Sequence, residues 1–351
     1  MVEISILLYV FNCENFLRDS LDSLINQSFH DFEIFCIDDE SKDNSLKILM
    51  EYSKRDARVR YISIKHSGFS NAMNKFVSLT GGKYLYMMKP STNLKFNALD
   101  MLFQQAEKTD ADIIFTDVNW QYNSIYYNKS DSLNQIQQTI NNQVFSYEHL
   151  NNLIFSIDPS IENKFYRLDF IKNNELKFCN DLSYPEYLFF YKSLLLANKI
   201  SYLKDFLFNY KKPFEFLNRN DIKIENIYTE YELIQNTFRE IHEFDNFKNN
   251  FLELKLSFFM RELGRINEEY KENFFNILRS DLIDEFSSDE FDVESIENLS
   301  KFNRKIFEQI VISESIYEFD LLRKNLFITT EFNTINDRKA FLKKAGSYNV
   351  D

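Results

Sequence analysis

Glycine and proline are scarce in this chain. Of its 351 residues only 5 are glycine and 4 are proline, against roughly 7% and 5% in ordinary proteins. The glycines form neither the GxGxxG pattern of dinucleotide-binding loops nor the GxxxxGK[ST] pattern of phosphate-binding loops. They stand at Gly68, Gly81, Gly82, Gly264 and Gly346. This scarcity argues against P-loop nucleotide enzymes and NAD-dependent dehydrogenases.

Cysteine and histidine are also rare. The three cysteines, Cys13, Cys36 and Cys179, are odd in number and widely spaced, which favours a reducing compartment over a disulfide framework or a zinc knuckle. The four histidines form no HExxH motif. A structural metal site is therefore not predicted.

An excess of basic charge is absent as well. The chain carries 41 Lys and Arg against 54 Asp and Glu, a net charge of -13, so it lacks the basic surface that binds nucleic acids. Residues 1–12 are apolar but include Glu3 and no basic segment, so they predict a first strand rather than a signal peptide. No apolar run is long enough to cross a bilayer. We expect a cytoplasmic protein, with peripheral membrane contact left open.

The apolar residues that are present, among them 37 Phe and 20 Tyr, alternate between strand and helix patterns over residues 1–118. Short apolar runs separated by helical periodicity are typical of βαβ units in a parallel sheet. The sequence therefore predicts an α/β fold with a mostly parallel sheet flanked by helices. Its strands are expected at residues 4–10, 33–38, 59–64, 84–88 and 112–117.

The pattern changes after residue 118. In residues 119–145, 11 of 27 positions are Asn or Gln, which predicts a long loop or irregular insertion. Residues 146–212 resume a folded pattern, with a short helix near 147–155, a strand near 163–166 and an apolar helix near 187–197. Residues 213–351 look helical throughout. We therefore expect one domain over 1–212, made of halves 1–118 and 146–212 around the insertion, and a helical C-terminal region.

Polar residues follow the predicted strands, where α/β sheets bind their ligands. The most specific group is Asp38-Asp39, whose carboxylates can accept hydrogen bonds from a ribose or a base. The same residues can equally serve to cap the next helix. Residues alone leave the two interpretations open.

Eleven segments together resemble the opening of family 2 glycosyltransferases with the GT-A fold. They follow one another in family order, and the resemblance spans roughly residues 1–212. The segments are residues 4–12, 14–17, 20–28, 31–34, 37–39, 66–74, 82–86, 111–115, 163–167, 174–178 and 189–195.

The resemblance implies a nucleotide-diphosphate sugar, most simply a UDP-sugar, bound in the cleft at the strand ends. A carboxylate would activate a hydroxyl of a glycan or lipid-linked acceptor, and the hexosyl group would be transferred to it. The substrate-binding residues that the resemblance and the strand ends suggest are Tyr9, Phe11, Asn12, Asp38, Asp39, His66, Asn74, Lys89 and Ser91.

Four positions depart from the family pattern. The Asp-x-Asp motif, which holds a divalent metal in such enzymes, aligns with Lys89-Pro90-Ser91, so a Mn²⁺ or Mg²⁺ cofactor is not expected. The Arg expected before Asn74 is Met73, and the Gly expected after the Asp pair is Glu40. The Glu-Asp pair that supplies the general base aligns with Pro185-Glu186.

Two of the replaced positions allow a catalytic interpretation. Glu186 reaches about one methylene further than Asp and is the candidate base, although a glutamate after Pro185 is also an ordinary helix start. Lys89 could replace the metal by neutralising the departing diphosphate, or could simply be solvated. His66 could donate to a phosphate or be structural.

A literal Asp-x-Asp at Asp110-Ala111-Asp112 lies at the amino end of a predicted strand. We interpret it as a turn. A weaker metal arrangement, in which Asp39 acts with waters, has fewer ligands than a divalent site normally needs.

Two functions remain open at this point. The first is a metal-independent hexosyltransferase, which the fold resemblance favours. The second is a catalytically inactive relative that binds nucleotides or glycans or acts as a scaffold, which the altered site favours. The helical C-terminal region fits an acceptor-side element or a surface for homo-oligomers.

Overall fold

A computed structural model describes residues 2–117, 119–122, 125–128, 144–211, 224–287 and 291–324. The chain divides into two compact units, Met1–Phe214 and Glu215–Asp351.

Seven strands of the first unit form one sheet in the order β10-β6-β9-β4-β1-β2-β3. Neighbouring strands run parallel except around β9, which is antiparallel to both β4 and β6. The seven strands of this sheet are β1 (Ile4–Val10), β2 (Phe32–Asp38), β3 (Val59–Ser63), β4 (Tyr84–Met88), β6 (Ile113–Thr116), β9 (Lys164–Arg167) and β10 (Ile200–Leu203). The predicted fold class, a mostly parallel sheet flanked by helices, is confirmed.

The helices that flank this sheet have apolar residues that recur on one face. In α1, Leu17, Leu21 and Leu24 are fully buried, spaced so that one stripe meets the sheet. The helices of this unit are α1 (Glu14–Ile25), α2 (Ser45–Arg55), α3 (Phe69–Leu79), α4 (Ala98–Thr109), α5 (Leu168–Asn173) and α6 (Pro185–Leu196).

A second sheet corrects the prediction of an irregular insertion. Within residues 119–145, β7 (Asn119–Tyr122) and β8 (Ile125–Asn128) form an antiparallel pair. They extend a sheet of order β5-β11-β7-β8 that also contains β5 (Thr92–Leu94) and β11 (Phe208–Lys211). The prediction failed because β7 pairs with β11, which is distant in sequence. Residues 129–143 of the predicted insertion lie outside the described residues.

The helix expected near residues 147–155 is a pair of 3-10 helices, Tyr147–His149 and Asn151–Ser156. The Ser146 hydroxyl and the His149 ring close a capping box around the first. Asn151, the first residue of the second, has a positive φ of 46°, which an uninterrupted α-helix does not allow. A continuous α-helix is therefore not formed.

The second unit is helical over the residues that the structure describes, as predicted. Its helices are α7 (Ile224–Glu240), α8 (Phe244–Leu263), α9 (Glu268–Ser287), α10 (Val293–Glu297), α11 (Lys301–Ile312) and α12 (Ile316–Lys324). Phenylalanines fill much of its core, and Phe238, Phe251, Phe259, Phe274 and Phe275 are fully buried. No helix in the described parts of the chain is long and apolar enough to cross a membrane.

Candidate active site

The carboxyl ends of β1, β2 and β4 meet at one edge of the large sheet, because these strands are parallel neighbours. Since β9 runs the opposite way beside β4, the residues just before β9 reach the same edge. The chain therefore brings together residues 9–12, 38–39, 89–91 and 162–163. This is the edge at which α/β sheets place their ligands.

Three charged side chains form a buried cluster at this edge. The Lys89 ammonium follows β4 and donates to Glu186 Oε1 at 2.8 Å, and Glu162 Oε1 lies 3.7 Å from the same Nζ. The side chains of Glu162 and Glu186 are only 4% and 12% exposed, whereas that of Lys89 is 25% exposed. Glu186 lies in the first turn of α6 after Pro185, which matches the ordinary helix start and also aims its carboxylate at Lys89.

The charged groups of this cluster shift one another's pKa values. Burial alone would lower the pKa of the Lys89 ammonium, but the carboxylates of Glu162 and Glu186 raise it well above its usual value. Burial raises the pKa of Glu162, and the Lys89 ammonium offsets part of that rise. Lys89 is therefore a firmly protonated cation, and Glu162 is the carboxylate that is easier to protonate than usual.

Ser91 and Tyr210 lie on the same side of the cluster. Ser91 is 7% exposed, and a hydrogen bond joins its side chain to the Tyr210 hydroxyl. Burial raises the pKa of Tyr210, and the nearby Lys89 ammonium acts against that rise. Tyr210 therefore places a neutral hydroxyl beside the cluster.

Asp38 and Asp39 have different environments. The carboxylate of Asp39, which is fully buried, accepts hydrogen bonds from the Tyr9 hydroxyl at 2.8 Å, Ser67 N at 2.8 Å and Gly68 N at 3.0 Å. The His66 ring also approaches it, with Nδ1 2.9 Å from Oδ2. Asp39 therefore ties the end of β1 to the loop before α3, and a ligand would compete with these internal bonds.

Asp38 is nearly as buried, at 1% exposed, but its carboxylate accepts fewer hydrogen bonds than that of Asp39. Its Oδ2 accepts from the Ser63 hydroxyl at 2.9 Å, while its Oδ1 has no hydrogen-bond partner among the described residues. This unpaired oxygen is itself buried, and a donor group of a ligand that reaches the carboxyl end of β2 would satisfy it. The predicted nucleoside role therefore fits Asp38 better than Asp39.

Phe11 and His66 form an exposed aromatic pair at this edge. Their ring centroids lie 4.8 Å apart with planes at 29°, and Phe11 is 40% exposed. Asn12 beside them has a positive φ of 47°, and its Oδ1 accepts from Lys42 N at 2.7 Å. The pair offers a flat surface on which a base can stack.

Asn74 is used internally in this structure. Its amide donates to Phe178 O at 2.7 Å and accepts from Phe178 N at 2.8 Å. These two bonds fasten α3 to the segment before α6. The role predicted for Asn74 in substrate binding stays a prediction.

The residues at the end of β4 do not fit the divalent metal that this fold family often uses. Lys89-Pro90-Ser91 offers an ammonium where an oxygen ligand would be needed, and that ammonium is already paired with Glu186 and lies near Glu162. Among the described residues, no group of three His, Cys, Asp or Glu side chains is arranged to hold a metal ion.

The Asp110-Ala111-Asp112 segment is a turn at the amino end of β6, as predicted. Asp110 caps α4 with a positive φ of 52° and pairs with Lys199 at 2.7 Å. The Asp112 carboxylate accepts from the backbone of residues 198 and 199, at 3.0 Å each. These aspartates therefore stabilise the fold away from the ligand edge.

Glu162 is the site residue that sequence reasoning missed. The signal available was a charged residue directly before the segment 163–167 that the family resemblance covers. The position of Glu162 depends on the reversed direction of β9, which the apolar pattern does not reveal. Without that direction, residue 162 could not be assigned to either edge of the sheet.

Residues 5–161 match the sequence model of the family described as Glycosyl transferase family 2. The chain is 26% identical over 220 residues to glycosyltransferase GlyG of Streptococcus pneumoniae, which covers 60% of this chain and 70% of that relative. It is 25% identical over 234 residues to the poly(ribitol-phosphate) beta-glucosyltransferase of Bacillus spizizenii, covering 65% of this chain and 35% of that relative. The matched share of these relatives thus differs widely.

Among solved structures, the fold is similar to that of S. aureus TarS 1-349 in complex with UDP. The TM-score is 0.68 at 18% sequence identity, and the match covers 92% of this chain and 91% of that one. The same protein in complex with UDP-GlcNAc gives a TM-score of 0.68 at 17% identity. At this identity the likeness establishes the fold.

Proposed function

We propose that the chain is a glycosyl transferase of family 2, whose sequence model its residues 5–161 match, and that it transfers a hexosyl group from a nucleotide-diphosphate sugar to a hydroxyl of a glycan or lipid-linked acceptor, without a divalent metal. The proposal rests on the 2.8 Å contact between Lys89 Nζ and Glu186 Oε1. Hexosyl transfer needs a positive charge for the leaving diphosphate and a base for the acceptor. This contact supplies one of each.

When the donor binds, the Lys89 ammonium would turn from the Glu186 carboxylate to the diphosphate of the donor. A diphosphate is a stronger attractor for an ammonium than a single carboxylate, because it carries two charges. The Lys89 side chain is 25% exposed, so a ligand at this edge can reach it. Once Lys89 turns to the diphosphate, the Glu186 carboxylate is released from its ion pair with Lys89 and is free to accept the proton of the acceptor hydroxyl.

The transfer itself is then a single displacement. The acceptor oxygen forms a bond to the anomeric carbon while the bond from that carbon to the diphosphate oxygen breaks. The electron pair of the broken bond stays on the diphosphate, beside Lys89, and the acceptor proton passes to the Glu186 carboxylate. One displacement from the opposite face inverts the anomeric centre.

A UDP-sugar is the donor we propose. The unpaired Oδ1 of Asp38 can accept from a ribose hydroxyl or a base N–H that reaches it, and the Phe11–His66 pair can stack on a pyrimidine. The TarS structures, which share the fold, are complexes with UDP and with UDP-GlcNAc. These observations support the nucleotide and leave the sugar open.

We place the reaction in the cytoplasm, on a polymer or lipid-linked acceptor. All three cysteines, Cys13, Cys36 and Cys179, are free, as is usual in a reducing compartment. A relative that acts on poly(ribitol-phosphate) aligns with 65% of the chain, which supports a polymeric acceptor.

Calorimetric titration of the wild type with UDP, UDP-glucose and UDP-GlcNAc, with and without Mn²⁺, tests donor binding. We expect binding without Mn²⁺, weakened roughly tenfold or more in Lys89→Ala because a charge-assisted contact is lost. The matched control is Lys75→Ala, since Lys75 is exposed on α3. An absolute requirement for Mn²⁺ would refute the metal-independent mechanism. If no nucleotide binds, the inactive scaffold becomes the better interpretation.

Turnover of Glu186→Gln tests the base. We expect donor affinity within about threefold of the wild type and turnover lowered by roughly 100-fold or more. Glu148→Gln, a variant of an exposed glutamate, controls for the change of charge. Unchanged turnover in Glu186→Gln would remove Glu186 from the mechanism.

A further inference from the structure

Glu162 has no part in the mechanism above, although it lies against its central cation. It is 3% exposed and is held there by its neighbours. The Tyr86 hydroxyl donates to Glu162 O at 2.9 Å, and Lys164 Nζ donates to the carbonyls of Asp158 and Ser160, at 2.6 Å each. The segment before β9 is therefore firmly fixed, and Glu162 cannot easily turn away from Lys89.

The charges around Lys89 do not balance. One ammonium faces two carboxylates, at 2.8 Å from Glu186 and 3.7 Å from Glu162, so the cluster carries one net negative charge when both are ionised. Only Glu186 receives a hydrogen bond from Lys89, and Glu162 Oε1 has no hydrogen-bond partner among the described residues. Apart from a hydrogen bond from its own backbone N–H, the Glu162 carboxylate is buried with one oxygen unpaired, which favours its protonation.

We propose that Glu162 is a proton-linked positioning residue of the donor site, which takes up a proton when the anionic donor binds. With Glu162 ionised, the cluster holds Lys89 and repels a diphosphate. With Glu162 protonated, the cluster is neutral and Lys89 can turn to the diphosphate. This inference rests on the proposed function, because it needs a nucleotide-sugar donor at this edge.

The charged and titratable groups around Glu162 come from several elements, and they support this assignment. Lys89 is the nearest cation, while Glu186 and Asp158 add negative charge, which further favours a proton on Glu162. Tyr210 on β11 also interacts electrostatically with Lys89. Burial lowers the pKa of Lys164 to about 7, so this lysine offers Glu162 little compensating charge above neutral pH.

Calorimetric titration with UDP-glucose and UDP-GlcNAc between about pH 5.5 and 8.5, in buffers of different ionisation enthalpy, tests the inference. The diphosphate of a UDP-sugar keeps its charge over this range, so proton uptake reports the protein. We expect the wild-type Kd to rise roughly tenfold with pH, with proton uptake on binding. Glu162→Gln should show a Kd constant within about twofold, and at the high-pH end it should bind roughly fivefold tighter than the wild type.

The possible outcomes separate this inference from the proposed function. If neither UDP nor a UDP-sugar binds the wild type, the proposed function fails. If the wild type binds and Glu162→Gln keeps the same pH profile and proton uptake, the inference is overturned. Glu148→Gln should keep the wild-type profile, because Glu148 is exposed.

If thermal unfolding shows that Glu162→Gln does not fold, a second variant tests the same inference. Glu162→Asp keeps a carboxylate but withdraws it from Lys89 by about one methylene. We expect proton uptake to persist with its midpoint shifted by about half a pH unit or more. An unchanged midpoint would overturn the inference, since a purely structural role of Glu162 would not move it.

Discussion

Asp38 and Asp39 are neighbours in the chain, but their carboxylates are satisfied to different degrees. Both oxygens of Asp39 accept hydrogen bonds, Oδ1 from Ser67 N and Oδ2 from Gly68 N and the Tyr9 hydroxyl. Among the described residues, the Asp38 carboxylate accepts only from the Ser63 hydroxyl. A change from carboxylate to amide therefore tests which of the two aspartates holds the fold together.

We expect Asp39→Asn to lower the free energy of unfolding by about 1–3 kcal/mol. In either orientation of the amide, its NH₂ group would face a backbone N–H that now donates to Asp39. Asp38→Asn is the matched control and should cost less than about 1 kcal/mol, because its amide oxygen can still accept from Ser63. Urea unfolding measures both. Equal losses would contradict the view that Asp39 is the structural member of the pair.

Lys164 is a buried lysine with uncharged partners. It is 1% exposed, and its Nζ donates to two carbonyls and to Asn163 Oδ1 at 2.6 Å. Burial lowers its pKa from 10.5 to about 7. Between these values the unfolded chain binds a proton that the folded chain does not, so the free energy of unfolding rises with pH.

We therefore expect the free energy of unfolding of the wild type to rise with pH, relative to that of Lys164→Met, by up to about 1 kcal/mol per pH unit between roughly pH 7.5 and 9.5. Urea unfolding at several pH values gives the two slopes, and their difference removes the contribution of other titrating groups. Lys75→Met should keep the wild-type slope, because Lys75 is exposed on α3. Parallel slopes for the wild type and Lys164→Met would show that Lys164 is charged in the folded protein.

Gly82 allows β1 and β4 to pair closely. Its N–H donates to the Ser5 hydroxyl at 3.0 Å, and that hydroxyl donates to Glu33 at 2.8 Å. A Cβ on Gly82 would lie 2.7 Å from both Ser5 N and Ser5 Oγ. Ser5 cannot yield easily, because β1 is paired on both sides by β2 and β4.

We expect Gly82→Ala to destabilise the protein by about 1–3 kcal/mol through this clash. The adjacent Gly81 is the matched control, since a Cβ there meets nothing within 4 Å. Gly81→Ala should change stability by less than about 1 kcal/mol and can even stabilise by restricting the unfolded chain. Urea unfolding compares the two, and a similar loss at both positions would contradict the close approach at Gly82.

The accuracy of the sequence prediction followed the way each strand is paired. β1 and β4 are buried apolar runs in the middle of the sheet, so the runs predicted both strands with their observed ends. β7, β8 and β11 are four residues each. β8 joins the sheet through β7, and β7 pairs with β11, which is distant in sequence, so local pattern could not reveal them. The residues that follow β1, β2 and β4 could be assigned to one edge of the sheet because these strands were predicted to be parallel. Glu162 could not be assigned, because its position depends on the direction of β9.

The charge of the whole molecule bears on how an anionic donor reaches the site. A net charge of -13 gives a field that repels a diphosphate at long range, and salt screens such a field beyond about 10 Å at 0.1 M. The attraction of Lys89 acts over a few ångströms in a partly buried cluster and is screened less. Salt should therefore weaken the long-range repulsion more than the local attraction.

We accordingly expect the association rate of a UDP-sugar to increase by roughly two- to fivefold as NaCl rises from about 20 to 300 mM, with a dissociation rate that changes less. Stopped-flow measurements with a fluorescent UDP derivative give both rates. Uridine is the control, because a neutral ligand feels no such repulsion and its association should be independent of salt. A rate that falls with salt would mean that a local positive field dominates the approach, and basic residues beyond Lys89 would then have to line the site.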